Sequence, residues 1–521
     1  MRIYSHINKG YAGQLIGIEA DLRNGFPGFD IVGLPDGAIR ESRHRIRSAL
    51  RNSGFRFPKE RVLVNLVPAD IPKGGTQLDL AIAVALVIAS TKQYLHADIP
   101  VMVIGELGLD GTVHPTSGTM AALASAQENG CTAFIYPAVS DIIAPAPAGQ
   151  KETVLPLAAT ALRNAVESVM SFLKDHPPAN KRPRSLTKKT ETTSGDTDPF
   201  IGVIGLYQVR RAMEISVAGR HNLLLFGPPG AGKTMMAKRM AALAPRLNTA
   251  EQEEVAIIHS GSQKQGNPPG PPLRILPHDA TVRTLLGDVC SGTPGEAALA
   301  HRGILLLDEL PSYSMKTLDT IRQISDSGRV MSTSARQLPS HYPAKLQLVG
   351  TMNPCPCGGL GQQEMSCVCS AAAIRRHWAK IGAPLLDRFD IRLPMIPEES
   401  LGGKRYREHS QLEGDAALHE RISNSIDRQR TFWKESPSIE RNGDVLKFGN
   451  AGIPPQLDEI LERFSDLQDI RGRSVRSLLG ICTVALTIAH LADRDRPTSE
   501  DVEEAVSYQR YGLRDIYWKD I

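Results

Sequence analysis

Hydrophobic positions along the chain fall into short runs of two periods, and the order of those runs divides the molecule. In residues 1–173, Arg61-Val62-Leu63-Val64-Asn65-Leu66-Val67 and Val101-Met102-Val103-Ile104 read as buried strands, whereas Leu78–Ala89 and Met120–Asn129 read as helices. The spacing predicts a mixed α+β unit. Lys174 to Pro199 then carries neither period. It holds Pro177-Pro178, a basic run (Lys181, Arg182, Arg184, Lys188, Lys189) and a Thr/Ser/Gly/Asp stretch. Such composition predicts a flexible, solvated basic linker over 174–199. The alternative is that its charges graze DNA phosphates.

In residues 200–395 the apolar runs Asn222–Phe226, Gly303–Leu307 and Leu346–Thr351 alternate with helical segments, the pattern of a parallel α/β sheet. Beyond residue 396 no further strand is expected. Leu418–Trp433, Gln456–Ser465, Ser474–Ala492 and Ser499–Tyr508 all carry helical spacing. The last opens on Thr498-Ser499-Glu500-Asp501, an N-cap followed by acids in the first turn. The predicted organisation is an α+β unit, a linker, an α/β unit and a helical unit at 396–521.

Composition changes this picture little. With 521 residues, 41% hydrophobic and 22% charged, the chain can bury more than one core. A net charge of +4 is small for that length, so contact with nucleic acid would need a local basic patch. The N-terminus, Met1-Arg2-Ile3-Tyr4-Ser5-His6, lacks the apolar run of a signal peptide, and no window reaches the length of a membrane span. Seven cysteines, an odd number, argue for reduced thiols and a cytoplasmic setting.

The sharpest chemistry lies in Gly227-Pro228-Pro229-Gly230-Ala231-Gly232-Lys233-Thr234, which satisfies every fixed position of a phosphate-binding loop between a strand and a helix. Glycines let successive N–H groups face phosphate oxygens, and the helix N-terminus adds positive potential. Lys233 can reach the outer phosphates of a nucleotide, and the Thr234 hydroxyl can ligate magnesium. Downstream, Ile304-Leu305-Leu306-Leu307-Asp308-Glu309 is an apolar strand ending in two carboxylates. Beside the loop, Asp308 can hold magnesium while Glu309 orients and deprotonates water. The pairing predicts ATP hydrolysis and not binding alone.

These residues resemble AAA+ proteins. Gly219-Arg220-His221-Asn222-Leu223-Leu224, Gly303 to Pro311 and Met352-Asn353-Pro354-Cys355-Pro356-Cys357-Gly358 narrow the resemblance to the magnesium-chelatase-like branch. Phe29 to Asp36 and Asn52-Ser53-Gly54-Phe55 are similar to ComM/YifB proteins within that branch. The resemblance implies that Asn353 is a polar sensor, that Arg388 in Leu385–Asp390 is an arginine finger for a neighbouring subunit, and that Arg476 in the helical lid is a second sensor. It also implies a six-membered ring. Two stretches depart from the pattern: Arg274 to Asp279 lacks the fuller Pro/His-rich string, and Gly202 to Val209 lacks the usual Gly-Gln pair.

Residues 1–173 resemble the proteolytic domain of Lon-type proteases through Pro72-Lys73-Gly74-Gly75-Thr76-Gln77 and Ile104 to Gly111. At the nucleophile position stands Gln77, and near the lysine position stands Met120; neither can do that chemistry. The expectation is an inert domain. Thr76 as a substitute nucleophile has no base close to it in sequence.

Cys355-Pro356-Cys357 and Cys367-Val368-Cys369 place four thiols on one loop, a candidate structural zinc site, though C-x-C is tighter than the usual knuckle. The alternative is a turn of unliganded small residues. For function, the resemblance implies a hexameric motor on DNA, with helicase-like translocation or branch migration. A basic hairpin of Gly328-Arg329-Val330 and Ala335-Arg336, with Lys345 leading into the next strand, would touch phosphates without sequence preference, or else be a solvated hairpin. The alternative function is a metallochelatase-type motor acting on a protein partner.

Overall fold

The computed structural model describes residues 2–8, 11, 13–69, 73–91, 98–140, 154–175, 206–262, 268, 270–288, 293–332, 340–360, 367–395, 415–434, 439–442, 445–448, 460 and 474–511. The expected linker begins inside a helix, Leu162–Asp175, and the rest of it lies outside the described residues.

Seven strands form the N-terminal sheet, in the order Gly28–Val32, Arg61–Val67, Gln14–Arg23, Arg2–Ile7, Asp98–Val103, Ala133–Pro137 and Leu155–Ala159. Gln14–Arg23 pairs antiparallel with both neighbours, and every other pair is parallel. The helix Asp79–Ser90 is apolar on nearly all sides because it is buried all round in the core. At its start the buried Asp79 carboxylate accepts from Arg45 Nε at 2.8 Å and from the Ser42 hydroxyl. Burial raises the Asp79 pKa, and the Arg45 and Ser42 hydrogen bonds oppose that rise.

The positions that invited comparison with a protease have other uses. Met120, on the helix Thr119–Glu128, is buried in a small core with Met102, Leu123 and Phe134 that also takes in Ala256 of the helix Thr249–Ser260. The Gly118 N–H donates to the Ser260 carbonyl at the same junction. Met120 therefore belongs to the small core at which the helix Thr119–Glu128 meets the helix Thr249–Ser260. The Thr76 hydroxyl donates to Glu106 Oε2 at 2.6 Å, so the tertiary fold supplies a carboxylate that proximity in sequence did not.

The second unit is a five-stranded sheet in the order Leu273–Ile275, Ile304–Leu307, Gln347–Met352, Leu223–Phe226 and Ile391–Pro394, parallel throughout. Its central strands are buried end to end, which is why they read as unbroken apolar runs. Leu223–Phe226 lies between two strands that come later in the chain. The loop following it thus opens where the strand order reverses, the usual ligand crevice of such sheets.

Helices Asp415–Lys434, Val475–Leu491 and Ser499–Ser507 share a core with Tyr207–Gly219 and the helix Lys233–Leu243. A capping box between Thr498 and Asp501 starts the last of them. The expectation of helices alone beyond 396 is corrected: Ile439–Asn442 and Val445–Phe448 pair antiparallel. The physical reason is visible in the chain, where Gly443-Asp444, a two-residue hairpin signal, separates Ile439–Asn442 from the apolar run Val445–Phe448. The helix expected over Gln456–Ser465 lies, apart from Ile460, outside the described residues.

Candidate nucleotide-binding and hydrolysis site

Three strand ends converge on one place. The strand Leu223–Phe226 runs into the loop 227–232, and Lys233 begins the following helix, which ends at Leu243. Gly230 and Gly232 both sit at left-handed φ, +82° and +83°, which L side chains adopt only under strain. Gly227 is required for a different reason: a Cβ there would lie 2.5 Å from the Met395 carbonyl oxygen. Its N–H donates to the Met352 carbonyl at 3.2 Å, tying the loop to the strand that leads to Asn353.

The Lys233 ammonium donates to the carbonyls of Gly227 and Pro228, both at 2.8 Å, and to Asn353 Oδ1 at 3.1 Å. Burial lowers its pKa, against the opposing pull of Glu309 and Asp308. The Thr234 hydroxyl donates to Asp308 Oδ1 at 2.8 Å. Asn353 Nδ2 donates to Glu309 Oε1 at 2.7 Å. Glu309 itself has φ +54°, a left-handed turn that breaks the strand and leaves its side chain exposed.

Three participants escaped sequence reasoning. Thr351 donates its hydroxyl to Asp308 and accepts the Glu309 N–H at 3.2 Å, so one hydroxyl braces both carboxylate residues. His377 Nε2 lies 3.0 Å from the Asn353 carbonyl, and Trp378 Nε1 donates to the Pro354 carbonyl at 2.9 Å. The only signal in the chain was the position of Thr351 two residues before Asn353.

Arg388 and Arg476 are not brought to this cluster. Arg388 pairs with Asp326 through Nε at 3.1 Å and Nη2 at 2.7 Å, and Arg476 Nη1 reaches the same carboxylate at 3.0 Å. Both arginines thus share one acid on the helix Met315–Ser327, and within a single chain they attend something other than the phosphate loop.

The cysteine loop stands beside the site. Cys355, Cys357, Cys367 and Cys369 have sulfurs all within 4.8 Å of one another. Three of the edges measure 3.4, 3.7 and 3.6 Å. A tetrahedron of thiolates at about 2.3 Å from zinc has edges of about 3.8 Å, so the donor set fits that ion. The Gly359 N–H donates to Cys357 Sγ at 3.4 Å and lowers the pKa of that thiol, as a thiolate ligand needs. Gly358, at φ +77°, packs so closely on the phosphate loop that a Cβ would meet Pro229 Cδ at 2.7 Å.

A family model described as magnesium chelatase, subunit ChlI, matches residues 200–401, and one described as subunit ChlI of Mg-chelatase matches residues 18–140. The competence protein ComM of Haemophilus influenzae is 31% identical over 516 residues, 97% of each chain. The chain belongs to the ComM/YifB family of magnesium-chelatase-like proteins. YifB of Salmonella typhimurium, an uncharacterized protein, is 32% identical over 502 residues, covering 95% of this chain and 94% of the relative. The uncharacterized protein Rv2897c of Mycobacterium tuberculosis is 33% identical over 529 residues, covering 98% and 99%. Family kinship therefore spans both units and the helical region. No helix among the described residues is long and apolar enough to cross a membrane.

Proposed function

We propose that this chain is an ATP-hydrolysing AAA+ motor that works as a ring of copies on DNA, in helicase-like translocation or branch migration. The observation that carries hydrolysis is the hydrogen-bonded set Lys233, Asn353 and Glu309 beside Thr234 and Asp308. Thr234 and Asp308 are the residues that would hold magnesium, which neutralises phosphate charge when bound. Lys233 binds and orients the outer phosphates. Glu309, steadied by Asn353, takes the proton of the attacking water as its oxygen bonds to the terminal phosphorus and the bridging P–O bond breaks. The N-terminal unit acts as an inert, Lon-like organising module, and the helical region serves as the lid.

DNA as the substrate is supported by kinship with a protein named for competence. It is supported also by the hairpin Arg329–Ser332 and Ser340–Pro343, on which Arg329 is exposed. A basic hairpin in a ring pore would follow a phosphate backbone without reading bases. The second reading, a motor that remodels a metal-inserting protein partner, is favoured by the descriptions of both matching family models.

Strand-exchange extension on three- and four-way junctions separates the two. The wild type should extend exchange and show DNA-stimulated ATPase, while Lys233→Ala and Glu309→Gln should do neither. ATPase activity indifferent to branched and single-stranded DNA alike would remove the DNA reading and leave the second.

A further inference from the structure

The pairing of Arg388 and Arg476 on Asp326 has its own logic. The two arginines lie 62 and 150 residues away from Asp326 in sequence, and the fold brings both to its two oxygens. Arg388 makes a bidentate contact, and its Nη1 is anchored to the Pro384 carbonyl at 2.5 Å. Arg322 stands 3.8 Å from the same carboxylate while pairing with Asp319 at 3.3 Å. Three guanidiniums around two acids leave net positive charge; Arg476 and Asp326 are each about a third exposed, at 31% and 30%, and Arg388 stands behind them at 13%. Such a surplus suits an anion delivered from outside the chain.

Asp326 is also well placed mechanically. It occupies the last turn of the helix Met315–Ser327, whose buried Leu318, Ile321 and Ile324 fix it to the core. That helix follows Glu309 by way of the turn Leu310–Ser312. Past Asp326, Gly328 ends the helix at φ +63° and the strand Arg329–Ser332 begins, with Arg329 exposed and Val330 buried in the core. One rigid element thus joins the hydrolytic end of a subunit, the arginine pair and the basic hairpin.

We propose that Asp326 is a positioning residue for a shared ATPase site: it holds Arg388 and Arg476 as one dicationic unit and presents them to the phosphates bound by the adjacent copy. The inference rests on the reading of the chain as a ring ATPase. Two guanidiniums sharing no counterion repel each other and adopt separate rotamers. The carboxylate holds them together, while its single negative charge leaves the pair attractive to phosphate.

Asp326→Asn keeps the size of the side chain and removes the charge. It should lower kcat for ATP by roughly 10–100-fold, the scale of misplacing a catalytic cation, with KM within about threefold. Asp326→Glu guards against misfolding. Its longer carboxylate displaces both arginines, so kcat should fall with the melting temperature unchanged.

Mixing gives the decisive readout. Subunits with Asp326→Asn have an intact Glu309 site, and subunits with Glu309→Gln have intact arginines. A one-to-one mixture should exceed both parents, approaching about one quarter of wild-type activity if junctions form at random. Asp326→Asn within twofold of wild type, or a mixture no better than the mean of its parents, would overturn this inference and leave the ATPase reading standing. A wild-type protein without ATPase activity would overturn both.

Discussion

Asn353 holds Glu309 directly: its amide nitrogen donates to Glu309 Oε1 at 2.7 Å, while its amide oxygen accepts from Lys233 at 3.1 Å. Ammonium can only donate and carboxylate can only accept, so this orientation of the amide is the one that satisfies both neighbours. Asn353→Ala should therefore free both Glu309 and Lys233, the acid and the lysine to which the proposed function gives water and phosphate. The expected result in steady-state ATPase assays is a kcat about 100-fold lower with a smaller change in KM. A change in KM alone would mean that Asn353 binds nucleotide without orienting the acid.

Thr351→Val retains shape but deletes the hydroxyl that bonds Asp308 and the Glu309 N–H. Leaving both partners short of a bond should cost about 1–3 kcal/mol of stability. If Asp308 holds magnesium as proposed, the magnesium concentration for half-maximal ATPase should rise by about 10-fold, since the hydroxyl that orients it has been lost. Thermal melts and a magnesium titration check the two effects separately.

The cysteine loop should carry about one zinc per chain, by the tetrahedral fit of its four sulfurs. Cys357→Ser should lose that metal in elemental analysis and lower the melting temperature. Because Gly358 packs against Pro229, the phosphate loop should loosen with it, and ATPase activity should fall in step. Protein purified without chelators yet free of zinc would refute the site.

Glu254 accepts from His301 at 3.0 Å and Arg302 at 2.8 Å, and these partners lower its pKa from 4.5 to about 2 against burial. A folded pKa below the unfolded one means stability that is full above pH 4.5 and is lost as pH falls toward about 2. Glu254→Gln should thus be less stable than wild type near neutrality, with the gap closing in acid. The carboxylate is about a third exposed, at 36%, so screening reduces the neutral deficit to about 1 kcal/mol. Urea melts at pH 7 and pH 3 measure the difference.

Much of the site was legible because its signals are local. The strand expected over Arg61–Val67 has those bounds in the structure, and the helix Asp79–Ser90 differs from its expected span by one residue. A phosphate loop is a continuous octet because one turn and one helix N-terminus do the binding. Asp308 and Glu309 end an apolar run because the strand Ile304–Leu307 is buried end to end and the first charges come where it leaves the sheet. The hairpin at 439–448 was also written locally, in Gly443-Asp444, but short strands amid helical spacing carry weak periodicity.

Tertiary structure decided everything that depends on distant side chains meeting. Thr351 bracing Asp308, Glu106 beside Thr76, Met120 sharing a core with Ala256, and two arginines sharing Asp326 leave no periodic trace in the chain. The reason is physical. Period and capping report only the neighbours within a turn or along a strand, whereas a hydrogen bond across the fold depends on how whole elements stack. Chain pattern was therefore enough to single out 227–234 as the candidate phosphate loop, and only packing could say which acid pairs with Arg388 and Arg476.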